Sequence, residues 1–195
     1  MNYLAHLLLA GDDPQRQLGG FIADFVRGHV EILAQQYPSS VLQGIVEHRR
    51  IDSFSEGNPH FLTSRSRVSA QRRRVSGIIV DVAYDHFLSI HWDRFSSRPK
   101  SAFIQGVYRL LEENHELLPE KLREIAPRLI ADDWLGSYRE LWVLGVVFDR
   151  MSLRIKRTNS LGGALVEVER EYAGLEEDFL AFFQQAIAYI GENQS

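Results

Sequence analysis

The chain has 195 residues, enough for one domain of ordinary size with a continuous hydrophobic core. With 45% hydrophobic and 25% charged residues it lies near the globular average, which excludes wholesale disorder. It contains no cysteine, which excludes a disulfide scaffold, a zinc ribbon and a thiol nucleophile. The opening MNYLAHLLLAGDD is apolar, with no basic residue before it and acids directly after, so no secretion leader is expected. No run of about 18 apolar residues occurs, so no membrane span is expected, and a reducing cytoplasm is the expected location.

The apolar spacing reads as helix nearly throughout. Leu18, Phe21, Ile22, Phe25 and Val26 share one helical face. Pro38-Ser39-Ser40 starts a second helix led by Val41, Leu42 and Ile45. Asn58-Pro59 starts a third, which is expected to carry most of the arginines. A fourth is expected over about 76–95, closed by Arg98-Pro99. Phe103, Val107, Leu110 and Leu111 mark a fifth. Pro119 suits the first turn of a sixth, which Pro127 is expected to kink or break. The segment 132–153 reads as one long buried helix with Trp134, Leu141, Trp142, Val146 and Phe148. RIKRTNSLGG, 154–163, is the clearest loop. A last helix carries Leu165, Val168, Tyr172, Leu175, Phe179, Phe183 and Ile187. With no period-2 alternation and no internal repeat, the expectation is a single all-α domain over 1–195.

The formal net charge of −4 hides an asymmetry. Residues 49–74 hold seven arginines against Asp52 and Glu56, a local net of +5. Residues 164–195 hold seven acids against Arg170, a net of −6. The guanidinium fork suits phosphate and carboxylate groups, so an acidic partner is expected.

Several ionisable residues sit on stripes that should be buried. Val41, Ile45, His48 and Asp52 follow one another along one helical face, so an imidazole and a carboxylate end a core stripe one turn apart. Ile78, Asp81, Asp85, Leu88 and Trp92 do the same with two acids. His86 points about 100° from Asp85. Asp24 lies between Ile22 and Phe25, and His6 lies inside the apolar opening. Burying unpaired carboxylates costs roughly several kcal/mol each, so these groups need a compensating cation. Arginine partners would serve, as would a divalent metal held by imidazole and carboxylate. His6 also reads as a core histidine. Asp24 can pair with Arg27, Asp52 with His48 or Arg49, and Asp81 and Asp85 with the arginines at 72–74. His29, His60 and His115 read as surface residues, and His91 as an ordinary interior or rim residue. No phosphate-binding loop, dinucleotide fingerprint, H-E-x-x-H helix or nucleophile elbow is present. Nucleic acid is not expected as a partner, because the net charge is negative and no aromatics interleave with the basic cluster.

NYLAHL (2–7), ADFVRG (23–28), HRRID (48–52) and DVAYDHFL (81–88) with His91-Trp92 occur in order. Together they resemble the acyl carrier protein phosphodiesterase family, a divergent relative of the HD-domain phosphohydrolases. The resemblance rests on 1–95 as the motif-bearing, metal-site half, with 96–195 as supporting helices. It implies an HD-domain-like helical architecture and hydrolysis, by metal-activated water, of the phosphodiester joining 4′-phosphopantetheine to a serine of holo-acyl carrier protein. That reaction belongs to lipid metabolism, in fatty acid biosynthesis. The implied cofactor is Mn²⁺, with Mg²⁺ or Fe²⁺ as alternatives. The implied metal residues are Asp24, His48, Asp81, Asp85 and His86, followed by His6 and Asp52, with Asp24, His48 and Asp85 as catalytic residues. Arg27, Arg49 and Arg50 would orient the phosphodiester. Arg65, Arg67, Arg72, Arg73 and Arg74 would dock the acidic carrier. The sequence departs from the HD pattern in having no His-Asp dipeptide: the nearest pairs are His48-x-x-x-Asp52 and the reversed Asp85-His86. Two other functions fit the same residues: an HD-type hydrolase of a nucleotide such as a guanosine alarmone, and a non-enzymatic helical module that binds the carrier.

Overall fold

The computed structural model describes residues 2–155 and 158–193, and among them every regular element is a helix. In chain order these are α1 (Tyr3–Leu9), α2 (Pro14–Ile22), α3 (Val30–Leu33), α4 (Ser39–Gly57), α5 (Pro59–Arg67), α6 (Ser76–Ile90) and α7 (Trp92–Phe95). They continue with α8 (Lys100–Glu113), α9 (Glu120–Ala131), α10 (Trp134–Ser137), α11 (Leu141–Arg154), α12 (Leu165–Arg170) and α13 (Tyr172–Asn193). Tighter 3-10 turns lie at Ala23–Phe25, Ala70–Val75 and His115–Leu117. Among the described residues no helix is long and apolar enough to cross a membrane. The all-α expectation is met.

Local chemistry sets the helix starts. The Asp13 carboxylate accepts from the backbone N–H of Gln15 at 2.8 Å and of Arg16 at 3.3 Å, capping α2. Asn58 caps α5 through the N–H groups of His60 and Phe61. Each cap is followed by proline, which has no N–H to leave unsatisfied in the first turn.

The chain divides into two compact units, Tyr3–Asp52 with His91–Gly136, and Met1–Asn2 with Ser53–Ile90 and Ser137–Ser195. In the first unit α1 packs on α2, and α2 on α8. The crossing of α2 and α4 depends on glycine. A Cβ added to Gly19 would run into the carbonyl oxygen of Val41, and one added to Gly44 into that of Arg16. Both obstacles are backbone, so only two glycines allow this approach. Beside it Arg16 pairs with the buried Glu47. In the second unit α13 packs on α5 and α6 around Phe61, Tyr84, Phe179 and Phe182, all buried.

Several sequence expectations need correction. The helix expected over 76–95 ends at Ile90. His91 leaves helical geometry (φ −95°, ψ 20°) and precedes α7, where the buried Trp92 donates its indole N–H to the Arg98 carbonyl at 2.7 Å. The segment 132–153 is two helices rather than one. They part at 138–140, where the Glu140 N–H donates to the Ser137 carbonyl at 3.0 Å. In the turn before α10, Asp133 adopts φ 44°, and the Tyr108 hydroxyl donates to Asp133 at 2.9 Å and accepts from the Leu135 N–H at 2.8 Å. Trp142 is 64% exposed, because α11 turns Val143, Leu144, Val147 and Phe148 inward and leaves Trp142 on the opposite face. Pro127 lies inside α9, on its exposed side, without ending it. The C-terminal helix breaks at Glu171, and Ile187 is exposed. Of the expected loop 154–163, Arg154 ends α11, and Lys156 and Arg157 lie outside the described residues.

Candidate metal centre

The buried turn of α1 carries His6, and the buried face of α4 carries His48. Their imidazoles stack with centroids 3.6 Å apart and planes 13° from parallel. Asp52, one turn beyond His48, spans both rings: Oδ1 lies 3.1 Å from His6 Nε2 and Oδ2 lies 3.3 Å from His48 Nε2. Asp24, in the 3-10 turn after α2, places Oδ1 3.3 Å from the same His48 nitrogen. The side chains of Asp52 and Asp24 are 44% and 47% exposed, so the buried imidazoles meet carboxylates at an open edge.

The glycine crossing sets the orientation of His48. With α4 close against α2, His48 Nδ1–H donates to the Gly20 carbonyl at 2.8 Å. A carbonyl only accepts, so the proton on Nδ1 is fixed and Nε2 is directed at the carboxylates. A backbone acceptor behind a ring holds a metal-binding histidine in this way.

The electrostatics separate the two rings. Burial, and next the charge of His48, lower the His6 pKa to about 4 against the opposing bond to Asp52. Burial also works against a charged His48, but hydrogen bonds to Asp24 and Asp52 overcome it and raise its pKa to about 9. Two imidazolium charges 3.6 Å apart would repel by about 5 kcal/mol at an effective dielectric near 20, so one ring stays neutral. The carboxyls of Asp24 and Asp52 are each pushed up by burial, but bonds from the histidines hold both below the ordinary range.

His6, His48 and Asp52 each offer one ligand atom, and the three atoms lie within 4.8 Å of one another. Two imidazole nitrogens and a carboxylate oxygen suit manganese, iron, zinc or magnesium, with no thiolate to favour zinc.

The other residues singled out in the sequence are placed as follows. Asp81, Asp85 and His86 lie on α6, in the other unit. Asp85 is 0% exposed. His86 Nδ1 donates to the Tyr138 carbonyl at 2.8 Å, and its Nε2 lies 3.0 Å from the Tyr172 hydroxyl. Arg49 donates to the Gly28 carbonyl at 3.0 Å, tying α4 to the segment after Asp24, while Arg27 and Arg50 are exposed. Of the arginines expected to dock a partner, Arg67 pairs with the buried Asp178 at 2.8 Å, and Arg72 with the buried Glu167 at 3.2 Å. Arg65 donates to Ser76 Oγ at 3.3 Å. Arg73 and Arg74 are exposed. The roles of the Gly20 carbonyl and of Gly19 and Gly44 had no motif to announce them; paired glycines one turn from a core stripe were the only hint.

Comparison with known proteins gives a consistent description. A profile of the family described as "Acyl carrier protein phosphodiesterase" matches residues 1–186. A protein so named from Serratia proteamaculans is 35% identical over 195 residues, 100% of both chains. One from Photorhabdus laumondii is 36% identical over 193 residues, covering 98% of this chain and 94% of the relative. One from Pectobacterium atrosepticum is 35% identical over 184 residues, 94% of each. No solved structure matches the chain.

Proposed function

The chain belongs to the acyl carrier protein phosphodiesterase family, and from that premise we propose that it hydrolyses the phosphodiester joining 4′-phosphopantetheine to a serine of holo-acyl carrier protein. The products are apo-carrier and free 4′-phosphopantetheine. The observation that supports this reading is the convergence of His6, His48 and Asp52 at an open-edged cluster, in a chain matched over nearly its whole length.

These three residues would hold a divalent cation, for which Mn²⁺ suits the mixed nitrogen and oxygen donors and Mg²⁺ or Fe²⁺ are alternatives. When bound, such a cation polarises a phosphoryl oxygen and makes water a better nucleophile near neutral pH. Asp24, exposed beside His48, takes the proton of the attacking water. Its depressed pKa keeps it ionised, and the neighbouring histidines keep it in place. The water oxygen forms a bond to phosphorus, the bond from phosphorus to the serine oxygen breaks, and that oxygen takes a proton from solvent to become the serine hydroxyl of apo-carrier. Arg27, Arg49 and Arg50 orient the non-bridging oxygens through charged hydrogen bonds. The His/Asp donor set supports kinship with HD-domain phosphohydrolases, with His48 and Asp52 one helical turn apart where that pattern has neighbours.

Chromatography of the released thiol tests the reading. Purified protein with Mn²⁺ and holo-carrier should liberate 4′-phosphopantetheine, and chelation should stop it. Release of nothing from holo-carrier, alongside turnover of a guanosine alarmone, would overturn it in favour of a nucleotide hydrolase.

A further inference from the structure

A second surface feature lies on α11 and is not used by the chemistry above. Trp142, Val146 and Leu153 follow one another along its solvent side, with Trp142 64% and Leu153 88% exposed. The packed α12 adds Val166, 52% exposed. Arg150 and Arg154 are exposed on one flank of this stripe. The 3-10 turn Ala70–Val75 joins it through the loop before α12. Asp149 of α11 accepts from the Gly163 N–H at 2.9 Å, Arg72 donates to the Gly163 carbonyl at 3.4 Å, and Ser160 donates to the Gln71 carbonyl at 3.1 Å. That turn presents Arg73 and Arg74 to solvent.

Arginines outnumber acids on this surface. Arg73, Arg74, Arg150 and Arg154 make no ion pair among the described residues. Of the nearby acids, Glu167 is buried between Arg72 and Arg170, Asp149 is exposed and holds the Gly163 N–H, and Glu169, one turn from Val166 on α12, is exposed. A chain of net charge −4 therefore shows an arginine-rich face with an exposed tryptophan here. An exposed tryptophan with an aliphatic neighbour and flanking arginines has the composition of an interface centre rather than of ordinary surface.

We infer that the α11 stripe, with Arg73, Arg74, Arg150 and Arg154, is the docking surface for an acidic, amphipathic helix of a protein partner. Trp142 and Leu153 take its apolar side chains, and the arginines take its carboxylates. The inference rests on the reading above, in which the substrate is a protein, and names the holo-carrier as the partner. It also moves docking away from Arg67 and Arg72, whose guanidiniums are held internally.

The test uses the full chain and purified apo- and holo-acyl carrier protein. Docking should blue-shift and quench Trp142 fluorescence, and Trp142→Phe should lose that signal. Trp142→Ala should weaken carrier binding about tenfold or more, as truncating a central aromatic does. Arg150→Glu with Arg154→Glu should raise KM for holo-carrier and flatten its salt dependence. Thermal melts superimposable on wild type establish that these surface variants fold. Unchanged carrier affinity and KM in folded variants would overturn the docking surface while leaving the phosphodiesterase reading intact. Carrier that binds through Trp142 but is never cleaved would overturn that reading and keep the surface. Wild-type protein that neither binds nor cleaves carrier overturns both.

Discussion

Replacing Gly44 by alanine should damage the candidate metal centre through packing alone. A Cβ at this position would collide with the Arg16 carbonyl and lie 2.9 Å from the Gly20 nitrogen, so α4 must move away from α2. Alanine gains about 1 kcal/mol of helix propensity over glycine. Against this stand about 1–3 kcal/mol for forcing packed backbones apart. Losing the buried bond from His48 to the Gly20 carbonyl adds about 1–3 kcal/mol. The net expectation is a loss near 3 kcal/mol in urea unfolding of the chelated protein. Loss of the acceptor behind His48 should also weaken Mn²⁺ binding about 10–100-fold in calorimetry. Gly77→Ala in α6 is the control, because a Cβ there meets nothing within 4 Å; it should be neutral or stabilise by up to about 1 kcal/mol. A Gly44→Ala protein as stable as wild type, with unaltered Mn²⁺ affinity, would refute the argument that the crossing positions His48.

In EDTA the protein should be most stable near pH 6.5. His48, with a native pKa of about 9, holds a proton that the unfolded chain gives up, so stability falls as pH rises from 6.5 through 9. His6, at about 4, does the reverse, so stability falls as pH drops from 6.5 through 4. Chemical melts across this range should trace a dome, and a curve still rising at pH 8 contradicts the assignment of charge to His48. Mn²⁺ binding requires a neutral His48, so about one proton should be released per metal at pH 7.5, read by calorimetry in buffers of different ionisation enthalpy; no release counts against His48 as a ligand. Asp178→Asn should cost about 3 kcal/mol, because this buried carboxylate accepts from Ser64 at 2.9 Å and from Arg67 at 2.8 Å. Asp132→Asn, at the exposed Arg128–Asp132 pair, should change stability by less than about 0.5 kcal/mol.

The helical character was legible because stripes such as Leu18, Phe21, Ile22 and Phe25 repeat at helical spacing. The pairing of His48 with Asp52 was legible for the same reason, since one turn of one helix brings them together. The helix breaks at His91 and at 138–140 were not, because apolar residues such as Trp92 and Tyr138 carry the pattern through them. Nor did local spacing show that Arg67 and Arg72 reach Asp178 and Glu167, partners about a hundred residues away. Trp142 was misread because its size suggested burial, whereas its place on the helix wheel opposite Val143, Leu144 and Phe148 decides its exposure. Gly19 and Gly44 carry no chemical signal, so only the contact itself identifies them.

The most direct test is the intact mass of holo-acyl carrier protein after incubation with this chain. With Mn²⁺ the carrier should lose the mass of its 4′-phosphopantetheine and become apo-carrier. It should stay whole with EDTA, and with a His48→Gln variant that folds and no longer binds Mn²⁺. Carrier that stays whole with folded, Mn²⁺-loaded wild-type protein, or that is cleaved equally by His48→Gln, would contradict a phosphodiesterase centred on His6, His48 and Asp52.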